Sequence, residues 1–320
     1  MTSTAVRPER TASDREPHLR SPRRRRRWWR NWQLYSLLVL PVAYFVIFRY
    51  LPMAGNVIAF RQYMPGGNIF GEYWVGFQNF EMFLSDPNFW QVFRNTAMLG
   101  GLALIFGFPA PIILALLLNE VRSRGFKRFV QTTTYLPHFL SIVIVAGMIL
   151  QIGSLSGTVN NVIKSFGLQA IPFLQDPAWF PAIYVGSDIW QTMGWGTILY
   201  LAALTQIDEN LYEAARIDGA NRWQQTWHVT IPGITPTIVT LLILNIGTFM
   251  AVGFEKILLI YNPLNYATSD VISTYLYRVG IQSGSFSYAA AIGMFEAVIG
   301  LVLVLGANFV SKRLVGASLW

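Results

Sequence analysis

Six long, mostly apolar runs divide this chain of 320 residues. They fall at approximately 33–53, 95–119, 131–153, 180–206, 235–260 and 288–310. A helix of about 20 apolar residues covers the roughly 30 Å hydrocarbon core of a bilayer. The runs are continuous rather than alternating, so they suit helices and not the strands of a membrane barrel. The expected fold is therefore all-α: a polytopic membrane protein with six transmembrane helices. Charge content agrees, at 12% against about 25% in soluble domains. The fourth run, FPAIYVGSDIWQTMGWGTILYLAALTQI, is the least apolar, because it carries Asp188 and Gln191.

Lys and Arg set the orientation. Cytoplasmic loops carry the excess of basic residues. With the N-terminus inside, 18 of the 24 Lys and Arg lie on the inner side and 6 on or near the outer side. Both termini are thus expected in the cytoplasm, together with the loop at 207–234. The net charge of +8 belongs largely to residues 1–30, which hold 10 of the basic residues. That segment is expected to be a disordered, Arg-rich cytoplasmic tail. Its arginines would touch anionic lipid, with Trp28, Trp29 and Trp32 as interfacial anchors. A twin-arginine export signal is the other use of such a run. Nucleic-acid binding does not suit a basic run placed directly before a membrane span. The remaining residues, 31–320, form the membrane domain.

Several chemistries are excluded. There is no cysteine, and the three histidines His18, His138 and His228 are dispersed, so no metal site is expected. None of the four lysines follows a glycine, so no phosphate-binding Walker loop exists. GSLSG at 153–157 places Leu155 where a nucleophile elbow needs serine. No enzyme and no cofactor is expected, and any ATP used must be bound by another chain.

Charge inside a span is costly and usually faces a bundle interior or a wet cavity. Asp188, Trp190 and Gln191 could line a polar pathway with Asn245; equally, Asp188 could pair with a neighbour and fix packing. Glu255 and Lys256 are expected to neutralise each other locally. Outside the membrane, Asp86-Pro87 has the form of a helix start, with Phe89, Trp90 and Phe93 on one face. A short helix is expected around 162–166.

The inner loop LYEAARIDGANRWQQTWHVTIPG is charged and amphipathic between two apolar runs. Asp208 is placed to cap a first helix and Gly219 to end or bend it. Asn221 can cap a second helix, with Trp223, Trp227 and Ile231 spaced as an apolar stripe. Pro232 and Pro236 are expected to separate this second helix from the fifth span. Ala214, Ala215 and Ala220 permit close backbone approach. Glu213, Arg216, Asp218 and Arg222 offer charge to a partner. The alternative is an amphipathic helix resting on the inner membrane surface.

At these residues the chain resembles permease subunits of binding-protein-dependent ABC importers. That family carries EAA, three residues, G, nine residues, I, one residue, LP. Here Glu213-Ala214-Ala215, Gly219, Val229 and Ile231-Pro232 keep the spacing, with Val229 for Ile and Ile231 for Leu. The stretch 75–96, through Asn79, Phe80, Asp86, Phe89, Trp90, Asn95 and Thr96, resembles carbohydrate-uptake permeases of the maltose-transporter type. The stretch 253–280 resembles their polysaccharide and oligosaccharide branch. The resemblance implies the transmembrane domain of a type I ABC importer, translocating a sugar or oligosaccharide in a bacterial plasma membrane. It implies as partners an ABC ATPase subunit dimer, a second homologous permease subunit or second copy, and an external sugar-binding protein. It implies that Glu213, Ala214, Ala215, Arg216, Asp218, Gly219 and Ala220 dock the ATPase, with Glu213 as charge anchor and Gly219 as bend. An ATP-independent secondary transporter or channel is the competing class; it would call for an ion-coupled charge network and inverted repeats, neither of which is visible.

Overall fold

The computed structural model describes residues 32–68, 70–314 and 316. The N-terminal tail, with Trp28 and Trp29, lies outside the described residues. The chain divides after Ala54 into two compact units. The first holds helix α1 (Trp32–Phe45), continued by a widened π turn (Val46–Tyr50) and Leu51–Met53. Its apolar side chains are exposed, Leu37 at 73% and Leu40 at 77% among them. That is the surface of a helix made for lipid or protein rather than water.

In the second unit, strands β1 (Arg61–Gln62) and β2 (Tyr73–Trp74) pair antiparallel, Arg61 opposite Trp74. These are the only strands among the described residues. Helix α2 (Gln78–Ser85) leads to α3 (Phe89–Leu102), which runs through a π turn (Ala103–Gly107) into α4 (Pro109–Glu120). Then follow α5 (Arg124–Tyr135), α6 (Ile142–Gly153), α7 (Thr158–Ser165) and the long α8 (Phe180–Leu204). The loop at 207–234 holds α9 (Glu209–Ile217) and α10 (Arg222–Gln225). Helix α11 (Ile231–Gly247) is followed by α12 (Phe254–Ile260), α13 (Tyr266–Ser269), α14 (Ile272–Tyr277) and α15 (Phe286–Leu314).

Five stretches are long and apolar enough to cross a membrane: Tyr35–Phe60, Phe89–Glu120, Ile142–Ser165, Arg222–Gly247 and Phe286–Arg313. The fourth expected span, α8, is absent from this set. At 25 residues it is roughly 37 Å long, so length is not what it lacks. It is too polar, and its position explains why that is tolerated. It packs against α4, α5 and α11, so protein rather than lipid meets much of its surface. Gly194 lets α5 approach closely: a Cβ there would stand 2.0 Å from the Thr134 carbonyl oxygen. Thr197, fully buried, bonds the Met193 carbonyl at 2.7 Å and reaches the Pro111 carbonyl at 3.2 Å.

Three sequence expectations change. The span expected over 131–153 is broken at Leu140, where the chain turns extended and Ser141 caps a new helix by accepting from the Ile144 N–H. Pro137, just before, cannot continue a helical ladder. The span expected over 235–260 ends at Gly247, and residues 248–253 form a turn before α12. Conversely, Pro232 and Pro236 do not separate the inner-loop helix from its span: helix runs from Arg222 to Gly247. The π turn Thr226–Thr230 absorbs Pro232, with the Ile231 N–H bonding back to Thr226.

The helix after Asp86 begins at Phe89 rather than at Pro87. Asp86 accepts from the Asn88 N–H at 2.7 Å and from the hydroxyls of Tyr275 and Tyr288. Partial burial pushes its carboxyl up, but these hydrogen bonds win and hold it below the ordinary carboxylate value. The expected common face of Phe89, Trp90 and Phe93 is split, for Phe89 is buried and Trp90 is 71% exposed. Phe83, Phe89, Val92, Ile272 and Ile292 form the core beneath. The expected short helix around 162–166 is α7, anchored by Asn160.

Candidate functional site

A cavity of about 480 Å³ lies between α8, α11 and the π turn of the 89–120 helix. Its polar lining is Asp188 and Thr192 from α8, Asn245 and Thr248 from the end of α11, and His138, with Tyr184 and Trp195 as aromatic walls. The breaks in two expected spans supply several of these groups. His138 comes from the turn before Leu140 and stacks on Trp195, centroids 4.6 Å apart and rings 5° from parallel. Residues 248–253 form one wall, held by the Gly253 N–H donating to the Tyr184 hydroxyl at 2.9 Å. Irregular backbone at membrane depth is tolerated where it lines a cavity or is buried in protein. Hydroxyl, amide and aromatic faces of this kind suit a polar organic ligand better than a bare ion.

Of the four pathway residues expected from sequence, the structure brings Asp188 and Asn245 to this cavity. Trp190 and Gln191 lie elsewhere. Trp190 lines a separate, apolar pocket with Met148, Ile152 and Ile183. Gln191 is buried, and its amide donates to the Leu140 carbonyl at 3.3 Å. On a helix, Trp190, two positions on from Asp188, points to another face, whereas Gln191, three positions on, is drawn aside by its bond to Leu140. The pairing of Glu255 with Lys256 is corrected too. Lys256 is 2% exposed, and its ammonium donates to Asp188 Oδ1 at 2.9 Å. Neighbouring residues on a helix do not face each other, and that rule could have flagged Lys256, set in the apolar run FEKILLI, as needing a distant partner. The Tyr184 ring lies 5.7 Å from the same ammonium.

The second feature is the loop at 207–234. Asp208 accepts from the Asn210 N–H and caps α9. The helix closes with two reversed bonds, Ala220 N–H to Ala215 and Gly219 N–H to Arg216. This Schellman closure needs a left-handed residue, and Gly219 supplies it at φ +80. Asn221 and Gln224 then cap α10 reciprocally, at 2.9 and 2.8 Å. Arg222 reaches Glu120 at the end of α4, at 2.6 Å. Both side chains of that pair are exposed, so it adds little stability. Glu213, Ala214, Arg216 and Asp218 are exposed and Ala215 and Ala220 half-buried. Among the described residues no ion pair engages Glu213, Arg216 or Asp218. Ile217 is 86% exposed, and Trp223 and Trp227 are 70% and 52% exposed with rings 5.8 Å apart. The two tryptophans thus form an outward stripe rather than a packed one.

The family model for the inner membrane component of binding-protein-dependent transport systems matches residues 107–316. The chain belongs to this family. It is 47% identical over 281 residues to protein LplB of Bacillus subtilis, covering 88% of each chain. It is 45% identical, with the same coverage, to the polygalacturonan/rhamnogalacturonan transport system permease protein YteP of that organism. Among solved structures it is similar to a chain of a bacterial alginate ABC transporter in complex with alginate pentasaccharide-bound periplasmic protein. The TM-score is 0.86 at 45% identity, covering 93% of this chain and 100% of that one. This permease is accordingly a helical, multi-pass membrane protein with the type I ABC importer fold, and a transport component rather than an enzyme. The likeness to that importer chain also sets aside an ATP-independent transporter or channel.

Proposed function

We propose that this chain is one permease half of an ATP-driven importer for oligosaccharides, receiving its substrate from an external binding protein. The observation that carries the proposal is the inner loop: a capped, glycine-bent pair of short helices with exposed, unpaired charge, spaced as in importers of this family. The ATPase would be a separate subunit dimer, gripping α9 through Glu213, Ala214, Ala215, Arg216, Asp218, Gly219 and Ala220. A second homologous permease or a second copy would complete the pathway. Six crossings, with α8 as the protein-shielded fourth, put both termini and the loop on the cytoplasmic side, in line with the Lys and Arg bias. The polar, aromatic cavity supports a glycan as substrate. So do the polygalacturonan/rhamnogalacturonan and alginate transporters to which the chain is similar. Retention of the ATPase tests the docking role. Glu213→Ala is expected to leave membrane insertion intact and to strip the ATPase from the purified complex. Full retention of ATPase by this variant would count against docking through Glu213.

A further inference from the structure

Asp188 is the one formally charged side chain among the described residues lining the cavity. Its side chain is 37% exposed, whereas that of its partner Lys256 is 3% exposed. Oxygen Oδ1 takes the lysine ammonium at 2.9 Å. The pair therefore presents an acceptor to the cavity while its net charge is zero. Each partner needs the other: a buried ammonium without its carboxylate is strongly unfavourable, and a lone carboxylate would leave the wall negative. The pair also bridges α8 to α12, across the turn at 248–253 that forms the neighbouring wall.

We propose that the Asp188–Lys256 pair is the charge filter of the cavity. Asp188 is the specificity-determining group, which accepts from sugar hydroxyls through its free edge. Lys256 is a positioning residue that holds Asp188 and cancels its charge. A neutral wall neither repels nor traps a glycan bearing carboxylates. This inference rests on the oligosaccharide reading of the cavity and adds to it what sets selectivity between acidic and neutral chains.

The filter makes an alternating forecast. Asp188→Asn leaves the Lys256 charge uncompensated, so the wall becomes positive. Lys256→Met leaves Asp188 uncompensated, so the wall becomes negative. The double variant Asp188→Asn/Lys256→Met returns the wall to neutral. One unit charge within roughly 8 Å of a substrate carboxylate, at an effective dielectric of about 20, changes relative rates by about tenfold or more.

The experiment is uptake by the complete importer in liposomes, with one binding protein throughout, of alginate pentasaccharide and of maltopentaose. The readout is the ratio of acidic to neutral uptake for the four proteins. Because the binding protein is unchanged, its own preference cancels between them. The ratio is expected to rise about tenfold for Asp188→Asn, to fall by a similar factor for Lys256→Met, and to return to the wild-type value in the double variant. Asp188→Asn strands the buried Lys256 ammonium, whereas Lys256→Met removes the buried charge and leaves a partly exposed carboxylate, so the Lys256→Met arm stands even if Asp188→Asn folds poorly. A ratio that stays constant while both rates drop would mean a merely structural pair and would overturn the filter, leaving the oligosaccharide reading intact. Absence of alginate pentasaccharide uptake by the wild-type importer would count against that reading and the filter together.

Discussion

Asn160 shows how a single polar residue holds a connecting segment without a core of its own. It is fully buried. Its amide donates to the carbonyls of Ser154 and Ile171 at 3.0 and 2.8 Å, and its oxygen accepts from the Ile171 N–H at 2.7 Å. The whole hydrogen-bonding face of the side chain is used, and the stretch 154–171 is closed on itself. Asn160→Ala would strand a buried donor and two acceptors, at a cost of about 1–3 kcal/mol for each group left unpaired. The expected outcome is a clear fall in the thermal unfolding midpoint of the purified protein, with increased proteolysis near residue 160; an unchanged midpoint would contradict this role. Nothing in the sequence singles out Asn160 from Asn161 beside it, because the partner Ile171 lies 11 residues away. Lys256 is the opposite case, since its place in an apolar run was itself a sign of a buried partner. What remained hidden was which carboxylate it meets, 68 residues earlier in the chain.

The elements divide by how local their causes are. Helices α9 and α10, their caps and the bend between them were legible, because Asp208, Gly219, Asn221 and Gln224 each act within a few residues. Gly219 is the most stringent of these. At φ +80 a side chain would be strained by about 1–2 kcal/mol, although no atom blocks the space around it. Gly219→Ala is therefore expected to leave assembly intact and to slow uptake, while Gly219→Pro, which also removes the N–H bonded to Arg216, should abolish uptake. Equal uptake by Gly219→Pro and wild type would contradict the bend's role. The interruptions at Leu140 and at 248–253 were not legible, since hydropathy runs through both. Their stability comes from distant groups: Tyr184 holds Gly253, and Gln191 holds Leu140. The prolines misled in the other direction. Pro52, Pro109 and Pro232 each stand two residues after a π turn ends. Proline lacks an N–H and its ring crowds the carbonyl four residues back. Widening the preceding turn by one residue relieves that conflict without ending the helix.

At the scale of the molecule, two polar features bear on transport. One is a cavity built from the faces that α8 and the interrupted helices turn inward. The other is the loop at 207–234, where Glu213, Arg216 and Asp218 find no ion-pair partner among the described residues. Overall helicity and most span positions followed from hydropathy, while the shielded α8 and the grouping of cavity residues depended on packing that no local pattern encodes. In the proposed importer, the loop carries the work of ATP hydrolysed on another subunit to the cavity. ATP-driven uptake of alginate pentasaccharide by the complete importer in liposomes, comparing wild type with Glu213→Ala at equal permease content, tests this coupling. Uptake is expected to require ATP in the wild type and to fall to background in the variant. Uptake by Glu213→Ala at the wild-type rate, or wild-type uptake that proceeds unchanged without ATP, would contradict it.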